Sequence, residues 1–274
     1  MSNGLLLITG ESFRLGTQFS RTRGIEDSFR RQQVACESHI RFVKYCEEKK
    51  NIKIDVALYT YTLNNEWDNK LKDWYGSYLV KSSYTTELAK SEPIFKENAL
   101  ADIAEFMQEK NIKYDFILLI RTDFYLKNYF SEVFDSCPNK IIFAFIDKFT
   151  TEQTNFPAVC HNITYVPEKF YSLLFSNSFL NMHDSAQKLL NYVAEDCIDF
   201  YSNTSHFTST DLGWNPIFVI VGRNEIREPS QEGISYTNGT YIALDKEYFN
   251  KDIFKETFQE ALENKKFSEA EDKV

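Results

Sequence analysis

The chain has 274 residues, 43% of them apolar and 16% aromatic, and a formal net charge of −9. Such a composition is globular and excludes a disordered chain, and the length allows one large α/β domain with a substantial core. The acidic balance argues against non-specific nucleic-acid binding as the main task, so no nucleic-acid partner is expected.

The five cysteines, Cys36, Cys46, Cys137, Cys160 and Cys197, include no C-x-x-C spacing. An odd count without that spacing fits neither a disulfide framework nor a zinc site, and points to reduced thiols in a cytoplasmic protein. The first residues lack the basic stretch and apolar run of a secretory leader. No apolar run reaches the length of a membrane span, so no transmembrane segment is expected.

Leu5 to Thr9 reads as a first buried strand, followed by a polar, glycine-punctuated loop from Gly10 to Gly24. Ile25 to Lys50 is helical, with Val34, Ile40, Val43 and Cys46 near helical spacing and a charged end. Ile54 to Thr60 is a second strand. Strand, helix and strand in this order form a βαβ unit with parallel pairing. Residues 61–79 read as a short helix and a loop, and Glu92 to Lys110 as a second clear helix. Strands follow at 115–120, 140–146 and 162–166, with Pro167 suited to the first turn of a helix. Beyond that point the pattern weakens. Asp184 to Ala194 looks helical, 202–215 is a polar loop, 217–221 is a last strand, and 229–240 is loop-like with an Asn238-Gly239 turn signal. The economical architecture is one α/β domain over 1–250, with a mostly parallel central sheet flanked by helices and an irregular C-terminal half. Residues 251–274 form an amphipathic helical tail.

Two segments carry chemistry. The first is the loop after the first strand, where a nucleotide-binding loop belongs in an α/β fold. It holds Gly10, Arg14, Arg21, Arg23 and several hydroxyls. Arginine gives forked, charge-assisted bonds to phosphate, and glycine lets backbone amides approach. The loop is neither a P-loop nor G-x-G-x-x-G. A solvated basic loop is the plainer alternative.

The second is Tyr114-Asp115-Phe116-Ile117-Leu118-Leu119-Ile120-Arg121-Thr122-Asp123, a buried run ending in a cation, a hydroxyl and an anion. Ligands of open α/β sheets bind just past the carboxyl ends of such strands. Arg121 and Asp123 alternate with Thr122, so an extended strand end would point both to one face. Such a pair can hold a diphosphate directly or through a metal, or can serve only as an ion pair at a strand end.

An Arg-bearing loop after a first strand, a second strand of the form D-V-A-L-Y-T, and then Y-D-F-I-L-L-I-R-T-D resemble nucleotide-sugar-dependent glycosyltransferases of the GT-A fold. The nearest likeness is to enzymes of bacterial surface-polysaccharide biosynthesis and of large DNA viruses. The continuation I-I-F-A-F-I-D and N-I-T-Y-V-P-E-K-F-Y belongs to the same resemblance, which spans roughly residues 4–175. It implies a Rossmann-like GT-A domain, a nucleoside-diphosphate sugar as donor and a glycan as acceptor. In that family a D-x-D triplet ends a central strand, and its last acid holds a divalent metal on the donor diphosphate. The resemblance therefore implies Asp123 as a ligand of Mn²⁺ or Mg²⁺. Arg121 stands in place of the first acid and would steady the leaving diphosphate. At an effective dielectric near 20, a unit charge pair at ~4 Å is worth about 4 kcal/mol before desolvation, so a guanidinium can supply part of a metal's role.

Transfer with inversion needs a base for the acceptor hydroxyl. The candidates are Asp147 at a strand end, Asp184 after His183, Asp196 in Ala194-Glu195-Asp196, and Asp211. Each can equally be a helix cap or a solvated acid. His39 lies in a helical stretch and reads as structural. Trp67, Trp74 and Trp214 could stack on a sugar or base, or pack in the core. Two other functions remain open. Arg14-Leu15-Gly16-Thr17 loosely suits a sulfotransferase-like phosphate-loop transferase, and loss of the first acid suits a non-catalytic glycan-binding module.

Overall fold

A computed structural model describes residues 1–15, 22–87, 92–135, 139–144, 163–176, 192–201, 217–221, 234–237 and 240–243. Strand β1 (Ser2–Gly10) leads to the short strands β2 (Arg14–Leu15) and β3 (Thr22–Arg23), which pair with each other. Helix α1 (Glu26–Lys50), strand β4 (Ile52–Tyr61), helix α2 (Asn65–Tyr75) and strand β5 (Leu79–Thr85) follow. Helix α3 (Glu92–Lys110) then returns the chain to β6 (Phe116–Arg121). Next come β7 (Phe124–Leu126), α4 (Asn128–Val133), β8 (Ile141–Phe143), β9 (Ile163–Pro167) and α5 (Tyr171–Leu174). The remaining strands are β10 (Ile198–Phe200), β11 (Phe218–Ile220), β12 (Ile234–Thr237) and β13 (Thr240–Ala243).

Seven strands form the central sheet in the order β10-β8-β9-β6-β1-β4-β5. All neighbours in it run parallel except β9, which is antiparallel to both β6 and β8. The expected mostly parallel sheet flanked by helices is therefore present. β1 and β6 are covered on both faces, which is why they read as unbroken apolar runs. Their side chains alternate between two cores. Leu6, Ile8, Leu118 and Ile120 meet Phe42, Val43 and Cys46 of α1, while Leu5, Leu7 and Ile117 meet Leu100 and Ile103 of α3. Gly4 is required by packing, because the Phe116 ring occupies the space a Cβ would need.

α1 matches its expected range to within one residue. Ser28 Oγ accepts from Ile25 N at its start, Glu26 and Asp27 fill the first turn, and Lys49 and Lys50 fill the last. These charges complement the helix dipole, and Asn51 closes the helix in the left-handed conformation (φ 56°).

Several expectations need correction. Leu79–Thr85 forms an edge strand, β5, that the sequence pattern did not indicate; it is only half-buried and lacks clean alternation. Thr122 and Asp123 form a turn, not an extended strand end, and the chain continues into β7, which pairs antiparallel with β11. Pro167 ends β9, one residue before a single 3₁₀ turn. Part of the expected loop at 229–240 is strand, since β12 pairs with β13 on either side of Asn238-Gly239. The expected helix at 184–194 meets the described residues only from 192, and the 202–215 loop and 251–274 tail lie outside them. Cys36, Cys46 and Cys197 are free thiols. Among the described residues no helix is long and apolar enough to cross a membrane.

Candidate functional site

The topology places a crevice at one point of the sheet. From β1 the chain builds outward through β4 and β5, then α3 carries it back to β6 on the other side of β1. The strand order thus reverses between β1 and β6, and their carboxyl ends stand side by side with Thr9 opposite Arg121. Thr122 N donates to Thr9 O at 3.0 Å, prolonging the pairing by one step. Gly10 has φ +128°, and a Cβ there would lie 3.2 Å from Thr122 Oγ1. A larger residue would be strained and would press on Thr122.

Five charged side chains converge at these strand ends. Arg121 forks onto Asp123, its Nε donating to Oδ1 at 2.8 Å and its Nη2 to Oδ2 at 2.7 Å. Arg14 Nη2 lies 3.6 Å from the same Asp123 Oδ2, and Arg14 Nη1 lies 3.6 Å from Glu11 Oε2. Arg23 Nε is 3.5 Å from Glu11 Oε1, and its guanidinium also donates to Ser12 O and Tyr61 O. Burial lowers the Arg23 pKa, and Glu11 and Asp68 oppose that effect. Asp123 is only 3% exposed and Arg14 9%. Charges so deeply placed depend on each other, since an unpartnered buried ion costs several kcal/mol.

One face of α1 holds the backbone of this site. Gln32 Oε1 accepts from Phe13 N at 3.1 Å, and its Nε2 donates to Thr122 O at 2.7 Å. This single amide ties the loop bearing Arg14 to the turn bearing Asp123. Phe13 sits at φ 54°, a conformation that needs such support in a non-glycine residue. Two turns along, His39 Nε2 is 2.7 Å from Phe124 O, and Nδ1 is 3.0 Å from Tyr75 Oη. A carbonyl can only accept, so Nε2 carries the proton and Nδ1 accepts from the tyrosine. Ser38 Oγ then accepts from Leu126 N, and Arg41 donates to Leu126 O. On the far side, Val221 N donates to Asp123 O at 2.8 Å.

His39 is fully buried, and burial pushes its pKa down from 6.5 to about 4. The folded chain then binds fewer protons than the unfolded chain between those values. Stability should be fully present above pH 6.5 and fall as pH drops toward 4. The shift corresponds to at most about 3 kcal/mol from this group. Urea unfolding of wild type and His39→Gln across that range checks it. The variant should show the shallower pH dependence, and parallel profiles would remove His39 as the cause.

The candidate residues divide clearly. Gly10, Arg14, Arg23, Arg121 and Asp123 come together at the β1–β6 strand ends. Arg21, Asp147, Asp184 and Asp211 lie outside the described residues, as does Trp214. Asp196 does not join the site. It is exposed, in a 3₁₀ turn that enters the amino end of edge strand β10, three strands away from β6 and at the opposite end of the sheet. Trp67 and Trp74 pack edge-on and tilted against Phe13 and Phe29, with centroids 4.9–6.0 Å apart. They support the Arg14 loop through Phe13.

The donor set does not fit a divalent cation at Asp123. Both carboxylate oxygens receive N–H groups from Arg121, and a second guanidinium faces Oδ2. A metal there would meet two guanidiniums already paired with the carboxylate. Among the described residues no group of three or more His, Cys, Asp or Glu converges on one point.

No protein-family model matches the sequence, and none of the curated proteins matches it. Solved structures do match. A glycosyltransferase involved in glycosylation of the major capsid of PBCV-1 is 10% identical, with 70% of this chain and 75% of that one covered and a TM-score of 0.36. A protein of Desulfovibrio desulfuricans G20, described as a nucleotide-diphospho-sugar transferase, is 12% identical over 73% and 81% of the two chains, with a TM-score of 0.43. Mouse xyloside xylosyltransferase 1 is 10% identical over 73% and 85%, with a TM-score of 0.37. Each is described as a sugar transferase.

Residues outside the recognisable motifs also build the site. Glu11 bridges Arg14 and Arg23, although it stands inside the loop singled out for its arginines. Gln32 was legible in principle: Ser28, Gln32, Cys36, His39 and Val43 follow helical spacing on the buried face of α1. A glutamine and a histidine on a core-facing stripe need partners there.

Proposed function

We propose that the chain is a glycosyltransferase that moves a sugar from a nucleoside-diphosphate sugar to a glycan acceptor. The observation that carries this reading is the placement of the guanidinium cluster. Arg14, Arg23 and Arg121 gather at the carboxyl ends of β1 and β6, where the strand order reverses. Open α/β sheets bind ligands at such switch points. Forked guanidiniums suit a diphosphate, and the glycine at position 10 lets the backbone approach it. The sequence resemblance to GT-A enzymes points to the same chemistry, with a surface glycan as acceptor and the cytoplasm as compartment.

In the transfer, the acceptor hydroxyl oxygen forms the new bond to the anomeric carbon, and the bond from that carbon to the diphosphate oxygen breaks. The diphosphate leaves with the bonding electron pair. Arg121 and Arg14 stabilise the charge that develops on it, which is the largest contribution this site offers. The acceptor proton passes to a carboxylate, drawn from Asp147, Asp184 and Asp211.

A thermal-shift screen of nucleoside diphosphates and nucleotide sugars tests the reading. At ~100 times its dissociation constant, the right ligand should stabilise the chain by about 2.7 kcal/mol, with selectivity for one base. Stabilisation by adenosine 3′,5′-bisphosphate alone would replace this reading with a sulfate-donor transferase. Response to glycans but to no nucleotide would make the chain a binding module.

A further inference from the structure

We infer that Asp123 holds the place of a donor phosphate on Arg121, and that the diphosphate binds by taking Arg121 from Asp123, without a divalent ion. The identity of the incoming anion rests on the donor-site reading above.

The Arg121 fork is the first observation. Its two N–H groups meet the two Asp123 oxygens at 2.8 and 2.7 Å, the same paired geometry by which arginine grips a phosphate. A carboxylate so held is a direct competitor for any phosphate that needs that guanidinium. The charges of the cluster give the direction. Asp123 itself is faced by two guanidiniums, Arg121 and Arg14, so its immediate surroundings favour an added anion over an added cation.

The burial pattern favours Arg121 as the partner that moves. The Asp123 side chain is 4% exposed and that of Arg121 is 14% exposed. The turn carrying Asp123 is tied on both sides by Gln32, His39 and Val221. Arg121 sits at the outer rim, its Cζ 5.5 Å from the Phe124 ring centroid. Turning outward, it would leave Asp123 with Arg14 at 3.6 Å, so the carboxylate is not stranded. The diphosphate would then hold Arg121 in place of the carboxylate.

This account reverses the effect expected of a metal-ligating aspartate. Removing the Asp123 charge should help the anion bind, where removing a metal ligand would hinder it. Calorimetric titration with inorganic pyrophosphate, and with the nucleoside diphosphates of the screen, tests it on wild type, Asp123→Asn and Arg121→Gln. Each titration is run with Mn²⁺ and with chelator. Pyrophosphate should bind Asp123→Asn about fivefold tighter or more than wild type. It should bind Arg121→Gln more weakly, and wild-type affinity should not change with chelator. Weaker binding by Asp123→Asn, or wild-type binding abolished by chelator, overturns the exchange. Base-selective nucleotide binding in that case would leave the donor reading standing, with a metal on Asp123. Tighter pyrophosphate binding by the variant, with no base-selective binding by either protein, would uphold the exchange and overturn the donor reading. The chelator comparison and Arg121→Gln do not need the Asp123→Asn protein, so either can overturn the account even if Asp123→Asn fails to fold.

Discussion

Asp123→Ala should lose about 3–5 kcal/mol of folding stability. The carboxylate is 3% exposed and neutralises Arg121 through two hydrogen bonds, with Arg14 at 3.6 Å. Truncation leaves two guanidiniums close together in a poorly hydrated place, with Glu11 near Arg14 as the remaining anion. The same substitution therefore cannot report on chemistry alone. Urea unfolding midpoints measure the loss. The double variant Arg121→Met/Asp123→Leu should recover much of it, because a buried pair replaced as a unit strands no charge. A loss under about 1 kcal/mol for the single variant would place the site among exposed ion pairs.

Arg121→Gln should lower sugar transfer by ~10²–10³ while leaving the fold largely intact. Asp123 keeps Arg14 beside it in this variant, and the Arg121 side chain lies at the rim with 14% exposure. The loss comes from the transition state, where negative charge grows on the leaving diphosphate. It should appear in kcat and also raise the donor KM, because Arg121 grips the bound diphosphate as well, and it is measured as release of nucleoside diphosphate in the presence of acceptor. Arg121→Lys should restore part of the rate, since it returns the charge without the fork. A variant with wild-type kcat would remove Arg121 from the leaving-group site.

How much of this was legible in the sequence depended on burial. β1 and β6 are buried on both faces of the sheet, so their apolar runs announce them, and β4 shows an alternating pattern of buried and partly exposed residues. α1 and α3 carry long periodic stripes. β5 is half-buried at the sheet edge, and β7 has three residues, so neither leaves a pattern to read. At the site, Arg14, Arg23, Arg121 and Asp123 stood out because charges directly after apolar strands are conspicuous. Their pairing was not legible. The chain turns at Thr122 and Asp123, and the turn depends on Gln32 and His39, 90 and 85 residues away in sequence. Asp196 shows the opposite limit, since a short acidic motif carries no information about which end of the sheet it will occupy.

A crystal structure of the chain with the nucleoside diphosphate selected by the thermal screen tests the central claim most directly. The diphosphate is expected at the carboxyl ends of β1 and β6, within hydrogen-bonding distance of Arg121 and close to Gly10. A nucleotide bound elsewhere, with the Arg121–Asp123 fork closed as before, would contradict the assignment of this crevice as the donor site.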